Sequence, residues 1–254
     1  MEAAQLKEFL DAKAQQYNRP DFLEDDPLQI PHRFSKREDA EIGGFLTATI
    51  AWGTRMSIIA NATRMMELLD HAPHDFVLGH GPGDLKALLP FVHRTFNGGD
   101  LVYFIESLGN IYRVHGGLET IFTKHQGADS MQGTISRFKE IFFELPHPAR
   151  CTKHLSDPLK GSAAKRINMF LRWMVRRDGR GVDLGLWKGI APAKLSCPLD
   201  VHSGNVARKL GLLARRQNDA KALAELDQAL RAMDVGDPVK YDFALFGLGV
   251  FERF

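Results

Sequence analysis

Apolar residues recur at spacings of three and four along almost the whole chain, and alternating β-branched runs are few. That period belongs to helices and leaves no set of strands from which a sheet core could be assembled. The sequence therefore predicts an all-α protein of about ten helices joined by short connections. The clearest helical patterns cover 40–51, 55–70, 101–115, 130–143, 163–177, 201–212, 218–233 and 239–251. Their punctuation is local. Trp52-Gly53-Thr54 breaks the first from the second, Gly116-Gly117 ends the third, and Pro146, Pro148 and Pro158 make 144–161 a connection. Ile167, Phe170, Leu171 and Met174 mark one face of 163–177, which runs into the loop Asp178-Gly179-Arg180-Gly181.

Composition excludes several classes. At 254 residues and 44% hydrophobic content the chain buries a substantial core, in one large domain or two modest lobes. No basic start followed by an apolar core marks a secretory signal, and no apolar run approaches the roughly 20 residues of a membrane span. The expectation is a cytoplasmic protein with no membrane partner. Two cysteines, Cys151 and Cys197, are too few for a four-cysteine zinc site or an iron–sulfur cluster and read as packing residues. No cofactor and no metal are expected.

The net charge of +2 hides a division. Residues 150–216 hold six Lys and nine Arg against four Asp and no Glu, a net +11, whereas 18 basic and 27 acidic residues leave the remainder at −9. A segment so basic suits a phosphate-bearing partner through counterion release, with a solvated charged surface as the alternative.

Within this segment Gly161-Ser162-Ala163-Ala164-Lys165-Arg166 opens one helical pattern and Pro198-Leu199-Asp200-Val201-His202 opens the next. Lys165 falls in a first turn, where the positive helix terminus disfavours an ammonium and favours the free, nucleophilic amine. Taken alone it also reads as a solvated surface lysine. Asp200 stands where an N-cap belongs, and a capping carboxylate is held rigidly with one oxygen left over. Brought together, the two are the minimum equipment for breaking an N-glycosidic bond through a Schiff base: the amine attacks the anomeric carbon and the carboxylate steadies the developing positive charge.

These segments resemble the hairpin and the catalytic-aspartate segment of the helix-hairpin-helix DNA glycosylase superfamily. The matching stretches are Pro158 to Lys165, then Leu199-Asp200-Val201-His202, then Val206-Ala207-Arg208-Lys209-Leu210-Gly211-Leu212. Gly44 to Arg55, continuing to Asn61-Ala62-Thr63, is similar to the superfamily's early helix pair, whose turn inserts a side chain where a base has been flipped out. Within the superfamily the chain looks most like the 8-oxoguanine glycosylase branches, which place a Schiff-base lysine where Lys165 stands. It also resembles an uncharacterised bacterial family, through His93 to Asn97, Asn168 to Met174 and Lys240 to Gly247.

The resemblance implies a two-lobed helix-hairpin-helix glycosylase-like fold. Its middle lobe would be 41–200 with the hairpin near 158–166, and its second lobe 1–40 plus 201–254. It implies a monomeric base-excision glycosylase, with or without AP-lyase activity, acting on double-stranded DNA with a damaged purine. Lys165 and Asp200 would be catalytic. Lys160, Gly161, Arg166, Arg55 and Arg208 would hold DNA, and Trp52, His93, Asn97, His202, Tyr241, Asp242 and Phe243 would line the base pocket. Two departures stand out: Ala163 replaces the second hairpin glycine, and the Trp52-Gly53-Thr54-Arg55 turn lacks the Gln or Asn wedge, leaving Arg55 as the candidate. They keep two alternatives open, a catalytically inactive nucleic-acid-binding protein of the same fold and a glycosidase acting on a nucleoside or modified RNA base.

Overall fold

A computed structural model describes residues 2–254. Among the described residues there are twelve α-helices, seven short 3-10 turns and a single two-residue strand pair, Val92–His93 with Phe96–Asn97. The chain is thus mostly helical, as its periodicity requires. Helices α2 (Arg37–Thr49) and α3 (Arg55–Leu68) flank the expected break, and Thr54 caps α3 through Ser57 N. Four helices come in addition to the eight read from periodicity: α1 (Ala3–Tyr17), α4 (Pro73–Gly79), α5 (Pro82–Leu88) and α7 (Leu118–Lys124). The last three are seven residues each, too short for a 3.6-residue period to declare itself.

Two compact units emerge. The first comprises 2–23, 126–135 and 157–254, and the second 24–125 and 136–156. The boundary differs from the expected division at 40 and 200. The reason lies in the first unit's core, where Leu10 and Ala14 of α1 pack in one cluster with Ala163, Cys197 and Leu199, with Val206 and Ala207 of α10 (Val201–Lys209), with Leu223, Leu226 and Leu230 of α11 (Ala220–Met233), and with Tyr241, Leu245 and Leu248 of α12 (Tyr241–Val250). Residues 157–200 therefore share their core with the C-terminal helices. Where α1 crosses α12, a Cβ on Gly247 would lie 2.1 Å from the ring of Tyr17, so only glycine permits this approach.

The second unit is built on aromatic packing around α6 (Gly98–Val114). Phe104 lies 4.7 Å from Phe142 and 5.2 Å from Phe96, edge to face, and Phe45 of α2 stacks on it at 6.0 Å. Asn97 and Asp100 form a reciprocal capping box, which starts α6 three residues before the apolar period suggests. Helix α8 (Gln132–Phe142) contributes its opening residues to the first unit and the rest to the second.

Candidate active site

Lys165 is the first residue of α9 (Lys165–Val175). The turn before it contains two left-handed residues, Gly161 at φ 89° and Ala164 at φ 46°. Ala163, at the expected glycine position, is not one of them. The left-handed step has moved one residue on, where Ser162 Oγ accepts the Ala164 amide at 3.0 Å. An L side chain in this region costs roughly 1–2 kcal/mol. The N-cap residue Ala164 makes no side-chain hydrogen bond to the start of α9.

Asp200 is the N-cap of α10. Its Oδ1 accepts the His202 amide at 2.8 Å and the Ser203 amide at 3.0 Å, and Ser203 Oγ accepts the Asp200 amide at 2.9 Å. This capping box leaves Oδ2 uncommitted to the helix, and that oxygen lies 3.4 Å from Lys165 Nζ. Both side chains retain solvent access, 32% for Lys165 and 18% for Asp200. The pair thus combines an amine at a helix start, a fixed carboxylate and an open approach.

Beneath the pair lies a buried charge network. Arg172 Nε donates to Asp183 Oδ1 at 3.1 Å, and its Nη1 donates to Asp242 Oδ2. Arg176 reaches Asp183, Asp178 and Asp237 at 2.9–3.1 Å. The Phe243 ring packs under both guanidinium groups, 4.4 Å from Arg172 and 5.4 Å from Arg176. Burial pushes the Asp242 carboxyl up to about 6 against the pull of Arg172, and the Asp200 carboxylate lies near enough to add to the rise.

This arrangement redraws several sequence expectations. Tyr241, Asp242 and Phe243 are 0%, 5% and 1% exposed, so they form the floor of the first unit and present no surface on which a base could stack. Arg208 is occupied internally, its Nε donating to the Arg215 carbonyl at 2.8 Å and its Nη2 to Asn218 at 2.6 Å. Arg166 is half-buried, with its guanidinium pulled down to about 10 by burial. Lys160 and Gly161 are exposed beside the lysine, and His202 is exposed one residue past the start of α10.

Trp52, His93, Asn97 and Arg55 belong to the second unit. His93 is buried, its Nε2 3.1 Å from the Trp52 carbonyl, and the half-buried Trp52 ring stacks at 6.1 Å on His154. Asn97 is committed to the α6 cap and to Arg150, 2.7 Å away. Arg55 opens α3. Cys151 and Cys197 are both buried and free. Burial and the Asp100 carboxylate, which accepts its S–H at 3.1 Å, push the Cys151 thiol up to about 12.

The basic segment is likewise less open than its charge count suggests, because Arg172, Arg176, Arg208 and Arg215 are tied into the fold. Sequence reasoning missed the residues that accept or align these groups, above all Asp183, Asp237 and Asn218. Only Asn218 carried a local signal, standing directly before the Asp219 cap of α11. Among the described residues no group of three or more His, Cys, Asp or Glu is arranged to hold a metal ion, and no helix is long and apolar enough to cross a membrane.

The chain belongs to the family described as protein of unknown function, DUF2400, whose pattern matches residues 26–251 and so takes in both Lys165 and Asp200. No curated protein and no solved structure matches it.

Proposed function

We propose that this protein is a DNA base-excision glycosylase with AP-lyase activity, acting on a damaged purine such as 8-oxoguanine, with Lys165 as nucleophile and Asp200 as its charged partner. The observation that carries this reading is the 3.4 Å approach of Lys165 Nζ to an Asp200 oxygen that the helix cap leaves free. In the first step Asp200 accepts a proton from the lysine ammonium. The amine lone pair then attacks the sugar's anomeric carbon as the C–N bond to the base breaks, and the bonding pair leaves with the base, which takes up a proton. Having passed the lysine's proton on to the departing base, Asp200 is again a carboxylate and steadies the oxocarbenium-like charge at that carbon. Ring opening gives the Schiff base, from which loss of a C2′ proton expels the 3′-phosphate. In this reading Lys160 and the loop at Gly161, both exposed, would meet the backbone near the reacting sugar.

A second reading draws on the internal use of Arg172, Arg176, Arg208 and Arg215, which shortens any phosphate track: a glycosidase using the same pair on a nucleoside or modified RNA base. A binding protein without chemistry would keep the pair only as an ion pair at a helix cap.

Borohydride trapping on duplexes containing 8-oxoguanine, an abasic site, uracil or no lesion tests the proposal. A covalent complex requiring both the lesion and Lys165, absent in Lys165→Gln, is the expected result. Absence of trapping and of base release on every duplex would sink it. Weak salt dependence of binding together with release from a free nucleoside would move the assignment to the second reading.

A further inference from the structure

The spacing between Lys165 and Asp200 is set by neither of their own helices alone. Both arms are hydrogen-bonded to one three-residue stretch, Asn218-Asp219-Ala220, at the start of α11. On the lysine side the Ala220 amide donates to the Gly161 carbonyl at 3.0 Å, and Ser162 pairs with Asp219 in an isolated antiparallel bridge. On the aspartate side Asn218 Nδ2 donates to the Asp200 main-chain carbonyl at 2.7 Å. The carboxamide cannot rotate away easily, because its Oδ1 accepts Arg208 Nη2 at 2.6 Å and Arg208 is anchored in turn on the Arg215 carbonyl. Gly204 makes room for it: a Cβ there would lie 2.7 Å from Asn218 Oδ1 and 3.0 Å from Nδ2.

We infer that Asn218 is a positioning residue for the Lys165–Asp200 pair, acting through the Asp200 carbonyl while the neighbouring Ala220 amide holds the lysine hairpin in register. The inference rests on the glycosylase reading for its consequence in chemistry, but the geometry it asserts is measurable without turnover. On this inference Asn218 contacts neither the sugar nor the base. Its role is to fix where the free Asp200 oxygen stands, and a displacement of about 1 Å in such a pair lowers a rate up to about 100-fold.

Two variants perturb the clamp from opposite sides. Asn218→Asp keeps an acceptor for Arg208 but replaces the donor facing the Asp200 carbonyl with an oxygen. Gly204→Ala leaves Asn218 intact and pushes its carboxamide aside. By helix propensity alone Gly204→Ala favours α10 by about 1 kcal/mol, so a loss in rate there does not arise from a weaker helix.

Single-turnover borohydride trapping on an abasic-site duplex, read as rate constant and end-point separately, gives the test. Both variants are expected to trap about 10- to 100-fold more slowly, with full end-points and unchanged DNA affinity. A purely structural role would lower the end-point and spare the rate constant, and that pattern, or wild-type rate constants in both variants, overturns the inference. Should wild-type protein trap nothing, the glycosylase reading falls by itself, and crystal structures of wild type and Asn218→Asp still decide the positioning claim. It stands if the Lys165–Asp200 separation opens from 3.4 Å to beyond the ion-pair limit of about 4 Å, and fails if the separation is unchanged.

Discussion

Asp200 caps α10 with one oxygen and faces Lys165 with the other, so two substitutions separate stability from the proposed chemistry. Asn at an N-cap is as good as Asp, and Asp200→Asn keeps an Oδ1 to accept the His202 and Ser203 amides. It loses the negative charge at the helix start, worth about 0.3–1 kcal/mol, and an ion pair that solvent already screens, worth about 0–1 kcal/mol. Asp200→Ala loses these and the cap as well, a further 1 kcal/mol or so. The expected unfolding free energies, from urea titration near neutral pH, therefore fall by about 1 kcal/mol for Asp200→Asn and about 2 kcal/mol for Asp200→Ala. For a chain of this size each kcal/mol lowers Tm by about 2–4 °C. Base release and trapping should be lost in both. If Asp200→Asn is as destabilised as Asp200→Ala, the assignment of Oδ1 to the cap is wrong. If Asp200→Asn retains wild-type turnover, the free carboxylate oxygen has no part in the reaction.

Lys165→Gln should shift stability by less than about 1 kcal/mol in denaturant titration, because its partly exposed ion pair is weak and a cation in a first turn is unfavourable. Trapping should nonetheless vanish. Burial pushes the Asp227 carboxyl from 3.8 up to about 6, although it accepts the Cys197 amide at 3.0 Å. A raised carboxyl contributes stability that is complete below its unfolded value and is lost as pH rises through its folded value, here about 3 kcal/mol between roughly pH 4 and pH 6.5. Asp227→Asn should remove that much of the wild-type decline when both proteins are titrated with urea across the window, and parallel pH profiles would refute it. Gly247→Ala should cost about 1–3 kcal/mol, since the new methyl drives into the Tyr17 ring. A Tm within 1 °C or so of wild type would show that α1 yields there.

What could be read in advance followed from local signals. The breaks at Trp52-Gly53-Thr54 and at Gly116-Gly117, the Asp200 cap and the Lys165 helix start all depend on residues within a few positions of each other, and the structure has helix ends at each of them. Arg172 and Arg176 read in sequence as part of an open basic face because nothing near them announces Asp237 and Asp242, which lie some 60–70 positions further along and neutralise them inside the fold. Tyr241, Asp242 and Phe243 looked available for the same reason: hydropathy does not reveal which side of a uniformly apolar helix meets its own core. The 3.4 Å separation of the pair depends on Asn218 and Ala220, whose contacts with Asp200 and Gly161 arise only from the docking of α11.

The first unit is discontinuous: its core joins Leu10 and Ala14, near the beginning of the sequence, to Leu245 and Leu248, near its end. During synthesis, therefore, a nascent chain that has passed Asp200 already contains both Lys165 and Asp200 but not the helices that hold them in register. The amine and the carboxylate are held as an ion pair only after α11 and α12 have emerged and closed on α1. A truncated product of an interrupted translation would carry the lysine and aspartate without the contacts from α11 that hold both arms.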